Sequence, residues 1–245
     1  MKKYVYFLAG ITLIVVSVAF LASCSSTSSG GGGGAEISVL GEFSYPNIYV
    51  TDGDVDFSNY SEPINGNDVS DAIVTVSNET TGVSTVLAWR AGNPMQHGYY
   101  GGLQALAHGT GEKVSLRIET ASGGTVTGDP TETSDSTISY TGPASGAYVH
   151  IPFTITWDFT AGTNPASHVW LQLYSVSTLN EGHQVVLPNT TTSLNITSAE
   201  VNSSGSYVIN IEPVTSMTIN GAKAGSVAYV KPAIGGAGSR SITVY

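Results

Sequence analysis

One cysteine in 245 residues, Cys24, has no partner for an intramolecular disulfide, so the fold must stand on its apolar core. Charge is also scarce, at 11% of residues, and cations are the scarcest part of it: eight Lys and Arg face 18 Asp and Glu. Beyond Lys2 and Lys3 the basic residues Arg90, Lys113, Arg117, Lys223, Lys231 and Arg240 are scattered. Phosphate backbones are held by clustered cations, so nucleic acid is not expected as a partner. Catalytic signatures are missing as well. There is no Gly-x-Ser-x-Gly elbow. His97, His108, His150, His168 and His183 show no metal-ligand spacing and no His-Glu-x-x-His. The segment from His108 to Lys113 lacks the Gly-Lys-Ser/Thr end of a phosphate loop. No carboxylate pair stands out for glycoside hydrolysis. The expectation is a protein that is not an enzyme.

What is present begins with residues 1–34. Lys2 and Lys3 open the chain, Tyr4 to Ala22 is uncharged and mostly apolar, and Leu21-Ala22-Ser23-Cys24 closes the run. Basic, apolar and small residues in that order read as a secretory leader. The length also suits a transmembrane helix, which needs about 20 apolar residues, but the position of the only cysteine favours the leader. Leu21-Ala22-Ser23-Cys24 resembles the lipobox of bacterial lipoproteins. That resemblance implies cleavage after residue 23, lipid with palmitate-type acyl chains on Cys24, and export. Ser25 after the cysteine implies sorting to the outer membrane. Two or more acyl chains anchor a protein stably where one does not. With Lys2 and Lys3 gone, six basic residues face 18 acids, a formal charge of −12.

Residues 24–35 then form a Ser- and Gly-rich linker behind the lipidated cysteine. From Glu36 the pattern is one of short strands rich in Val, Ile, Thr and Tyr, the composition of β structure. Ala72 to Ser77 and Val83 to Trp89, joined by Asn78-Glu79-Thr80-Thr81-Gly82, read as a hairpin. Lys113 to Glu119 alternates, with Val114, Leu116 and Ile118 on one face. Thr51 to Asp71 reads as a long polar loop. The polar, proline-bearing stretch 129–136 reads as a boundary. After it, Val149, Ile151, Phe153, Ile155, Trp157 and Phe159 share one face of the strongest strand, and Val169, Leu171 and Leu173 continue the pattern. The expected architecture is all-β: two tandem β-sandwich modules, 36–128 and 137–245.

Glu62-Pro63-Ile64-Asn65-Gly66, Ala72 to Val76, Tyr99-Tyr100-Gly101 and Gly111 to Leu116 resemble pieces of the transthyretin-like, carboxypeptidase-regulatory-like modules of bacterial surface proteins. Pro143, Gly146, Ile155, Trp157, Val169, Leu171, Leu173 and Tyr174 resemble immunoglobulin- or fibronectin-type modules. Both resemblances imply a β-sandwich and neither carries a catalytic motif. The paired cysteines of antibody domains are absent.

Two groups of residues invite binding. Asp52, Asp54 and Asp56 alternate in a loop and offer carboxylates to Ca²⁺. They depart from an EF-hand, because Phe57 and Pro63 stand where glycine and the bidentate glutamate belong. Trp170 and Tyr174 lie on the face opposite Val169, Leu171 and Leu173, and Tyr99 and Tyr100 sit beside loops. Flat aromatic rings of this kind stack on sugars. The function expected from the sequence is a lipid-anchored, non-catalytic envelope protein with a structural, adhesive or display role. The alternative is a glycan- or polysaccharide-binding surface lipoprotein. Its partners are then the membrane, through Cys24, and envelope proteins or glycans.

Overall fold

The structure, a computed structural model, describes residues 37–43, 47–55, 64–92, 97–101, 106–177, 182–201, 203–232 and 239–245. The leader, Cys24 and the linker 24–35 lie outside these. Among the described residues there are seventeen strands and no helix, so the chain is all-β. In order they are β1 (Ser38–Glu42), β2 (Asn47–Thr51), β3 (Ile73–Asn78), β4 (Val83–Arg90), β5 (Tyr99–Gly101), β6 (Lys113–Glu119), β7 (Thr125–Glu132), β8 (Thr137–Gly142) and β9 (Ala147–Val149). There follow β10 (Phe153–Thr160), β11 (His168–Ser175), β12 (Gly182–Pro188), β13 (Ser193–Ile196), β14 (Gly205–Met217), β15 (Ile219–Asn220), β16 (Val227–Val230) and β17 (Ser239–Val244).

The strands enclose two apolar cores. The first gathers Val39, Ile48, Val50, Val74, Val76, Leu116, Ile118 and Val126 from the opening half of the body. It also takes Met217, Ala228 and Val230, which come near the end of the chain. The alternation of β6 appears as read from the sequence: Val114, Leu116 and Ile118 are buried and Lys113 and Arg117 exposed. The β3–β4 hairpin is present, with Asn78 opposite Val83. Its turn is held by the Asn78 side-chain oxygen, which accepts the N–H of Thr80 and of Thr81.

The second core is a sandwich. A three-stranded sheet, β13-β10-β8, presents Phe153, Ile155 and Trp157 to Val169, Leu171, Leu173, Ile209, Ile211 and Ile242 of the layer β12-β11-β14-β17-β9. Burying each such Val, Leu or Ile side chain contributes about 1.5–3 kcal/mol. The alternation that runs unbroken in the sequence from Val149 to Phe159 is divided in space. β9 ends at Val149 and β10 begins at Phe153, because Pro152 has no N–H for a ladder.

One strand belongs to both cores. β14 pairs β11 from Tyr207 to Val214 and β17 from Gly205 to Asn210, then turns to β16 at Thr215–Met217. Pro213, which cannot donate to a ladder, lies at the changeover. β16 in turn pairs β1 in parallel, and β15 pairs β7. Segments that lie between β14 and β17 of the second sandwich thus return to close the first core.

The stretch 129–136 is largely built into the body. β7 continues to Glu132, and Asp129 and Pro130 form a bulge opposite Ser115, a position proline tolerates. Thr133, Ser134 and Ser136 are buried, and the Ser134 and Ser136 hydroxyls bond the Asn164 carbonyl and the Ala166 N–H. The ends of the long polar loop also approach each other, through bridges between Thr51 and Asp68 and between Val55 and Ile64. Gly66 is required there: its φ is +87°, and a Cβ would strike the backbone of Gly53.

Candidate functional site

Alternation along β11, β14 and β17 sends every second side chain away from the second core. On β11 these are Trp170, Gln172 and Tyr174; on β14, Ser206, Val208 and Asn210; on β17, Ser239, Ser241 and Thr243. Register aligns them into rows. Gln184, Gln172, Asn210 and Ser239 form one row across four strands, and Tyr174, Val208 and Ser241 form the next. The polar side chains are joined: Ser239 donates to Asn210 Oδ1 at 2.7 Å, and Gln172 Nε2 donates to Gln184 Oε1 at 3.4 Å.

An aromatic group stands at the edge of this face. Tyr148 on β9 is 69% exposed and Tyr245, just past β17, is 53% exposed. Their rings stack with centroids 5.7 Å apart at 24°. The His150 ring lies 4.5 Å from Tyr245. The sequence did carry a signal for them, since Tyr148 and His150 alternate against Val149 and Ile151. Tyr245 could be added only once β9 and β17 were known to pair in parallel.

The aromatic residues singled out from the sequence divide sharply. Tyr174 is half-buried and lies on the face just described. Tyr99 is half-buried on β5, its ring 5.7 Å from that of Tyr49. Tyr100 is only 1% exposed. Its hydroxyl donates to the Val69 carbonyl and accepts the Ala72 N–H, and its ring packs 5.1 Å from Trp89. Trp170 is 6% exposed and packs with Val214 and Tyr229. Neither Tyr100 nor Trp170 turns a free face to solvent, so neither is placed to stack on a sugar.

Trp170 instead belongs to a charged joint between the cores. Lys231 is 9% exposed and reaches Glu42 Oε1 at 2.7 Å and Glu212 Oε2 at 2.8 Å. Its ammonium stands 4.5 Å from the Trp170 ring centroid. Burial alone would lower its pKa, but the charges of Glu42 and Glu212 outweigh burial and hold it above 10.5. Burial pushes the neighbouring Tyr229 hydroxyl up to about 12.

Two carboxylates of the polar loop, Asp52 and Asp68, are already engaged. Asp52 accepts the N–H of Asn67 at 2.7 Å and its side-chain amide at 3.0 Å, which keeps its pKa below 3.8. Lys223 donates to the Asp52 carbonyl. Asp54 is exposed, and its carbonyl accepts the Asn65 N–H. Asp56 lies outside the described residues. No cluster of three or more His, Cys, Asp or Glu able to hold a metal occurs among the described residues. Two histidines meet side chains that could form part of a relay. Asp68 holds His97 Nδ1 at 2.7 Å, and Ser167 meets His168 Nδ1 at 2.8 Å. No Asp68–His97–hydroxyl or Ser167–His168–carboxylate relay forms among the described residues.

No family model matches the chain, and no curated protein matches it in sequence. Among solved structures it is similar to the fibronectin(III)-like modules of CbhA from Clostridium thermocellum, at 11% identity and a TM-score of 0.27, over 85% of this chain and 93% of that one. It is similar also to the FN1–FN3 domains of chicken CNTN1, at 8% identity and a TM-score of 0.28, over 84% of this chain and 63% of that one. At such scores the architecture rests on the strand pairing itself.

Proposed function

We propose that this chain is an exported, lipid-anchored, non-catalytic protein of the bacterial cell envelope, with a structural, adhesive or display role. Cys24 carries the lipid, residues 24–35 are the tether, and Ser25 directs the protein to the outer membrane. The observation that best supports the reading is the build of the body. β14 is continuous through both cores, and the Lys231–Glu42–Glu212 cluster clamps their junction. A body joined by strand and ion pairs resists the pull that reaches a tethered surface protein.

Membrane fractionation of a bacterium with two membranes, expressing the full chain, tests this. Wild type should sediment with the outer membrane and Cys24→Ala should not. Equal retention of both in the inner membrane, as an uncleaved apolar anchor would give, overturns the reading.

A second reading, a glycan- or polysaccharide-binding surface lipoprotein, draws support from the outward sheet face with Tyr148, Tyr174 and Tyr245.

A further inference from the structure

We infer that the outward face of the layer β12-β11-β14-β17-β9 is a binding site for an uncharged oligosaccharide chain, with Tyr148 and Tyr245 as its stacking platform. The inference deepens the glycan-binding reading and rests on it. Three observations specify the occupant.

The first is the exposed ring pair. Tyr148 and Tyr245 are more than half exposed although a tyrosine ring gains by leaving water. They stack on each other and Tyr245 also meets His150, yet both stay largely in solvent, Tyr148 the more so. A pyranose presents C–H groups on one side and hydroxyls at its rim, and so suits an aromatic face.

The second is the polar row. Planar amides and hydroxyls, Gln184, Gln172, Asn210 and Ser239, run across the sheet in register. Ser239 occupies Asn210 Oδ1, which leaves the Asn210 Nδ2 donors without a partner among the described residues. Gln172 occupies Gln184 Oε1 and leaves the Gln184 Nε2 donors in the same state. Sugar hydroxyls both donate and accept, and they match such a mixed row.

The third is charge. Among the described residues the face carries no Lys, Arg, Asp or Glu from Tyr148 to Gln184; Glu212 lies one row further on and is bound to Lys231. A phosphate, a uronic acid or a charged peptide would find no counter-charge there, whereas a neutral polyol needs none. Five strands span about 19 Å, the reach of a short chain of sugars rather than of one ring.

Affinity electrophoresis of the detergent-solubilised full chain tests the inference, in gels containing barley β-glucan, starch, xylan, galactomannan or alginate. At least one neutral polysaccharide should retard the protein, and alginate should not. Tyr148→Ala with Tyr245→Ala should weaken that retardation about tenfold, as loss of an aromatic contact of about 1.4 kcal/mol does. Asn210→Ala should weaken it by a smaller factor, and Val86→Ala, on exposed β4, should leave it unchanged. Circular dichroism and thermal midpoints confirm that each variant folds. Retardation that survives in the folded double variant overturns this site but leaves glycan binding standing. No retardation by any neutral polysaccharide overturns both.

Discussion

The ammonium of Lys231 lies 4.5 Å from the centroid of the Trp170 ring, and this contact joins the strands of two cores. Lys231 follows β16, whose Ala228 and Val230 fill the first core; Trp170 sits on β11, whose Val169 and Leu171 fill the second. Glu42 of β1 and Glu212 of β14 complete the junction.

Lys231→Met should therefore be costly. It leaves two carboxylates facing each other across a largely buried site, at a cost of about 2–4 kcal/mol in urea unfolding. The triple change with Glu42→Gln and Glu212→Gln should recover most of that loss. A single variant as stable as wild type would show that the cluster contributes nothing.

Trp157 offers a different contrast. It is 1% exposed in the second core, and its Nε1 has no hydrogen-bond partner among the described residues. Trp157→Ala should cost about 3–5 kcal/mol through the cavity it leaves. Trp157→Phe removes the unpaired donor along with some volume, so it should cost under about 1.5 kcal/mol. Equal losses in the two variants would contradict the unsatisfied donor.

Tyr100→Phe tests the entry to β3. The missing hydroxyl leaves the buried Ala72 N–H without its acceptor, a cost of about 1–3 kcal/mol. Hydrogen exchange should show the Ala72 amide among the first to lose protection. An unchanged exchange rate there contradicts the assignment.

Stability should fall with acid in two stages. Burial holds His168 and His183 below 6.5. Asp135 is held below 3.8 by the N–H groups of Asn164 and Thr163, and Glu112 below 4.5 by the Gly109 N–H and the Asn78 amide. A group with a depressed pKa in the folded chain contributes stability that is complete above its unfolded pKa. That contribution is lost as pH falls through the folded value. The thermal midpoint should drop gently below about pH 6.5 and steeply below about pH 4. Asp135→Asn should lower the midpoint at pH 7 and flatten the second fall. A midpoint constant from pH 7 to 3 would contradict both shifts.

The local pattern was legible in the sequence and the long-range exchange was not. Val114, Leu116 and Ile118 mark their strand by alternation alone, and Asn78 with Gly82 marks its hairpin. Trp170 was correctly placed on the face away from Val169 and Leu171, but strand period does not say what lies over that face. Asp129 to Ser136 is polar, and polarity alone does not distinguish an exposed linker from buried hydroxyls that satisfy backbone groups. The return of β15 and β16 to the first core depends on pairing with strands far away in sequence, Ile219 with Gly128 and Val227 with Leu40, for which short strands carry no local signal. Tyr148 and Tyr245 meet only through such a pairing.

The central claim is the lipid anchor on an exported body, and intact mass spectrometry of the full chain recovered from bacterial membranes tests it most directly. The account predicts a polypeptide that begins at Cys24 and carries the added mass of acyl chains on that residue. A chain that retains residues 1–23, or one that begins at an unmodified Cys24, would contradict it.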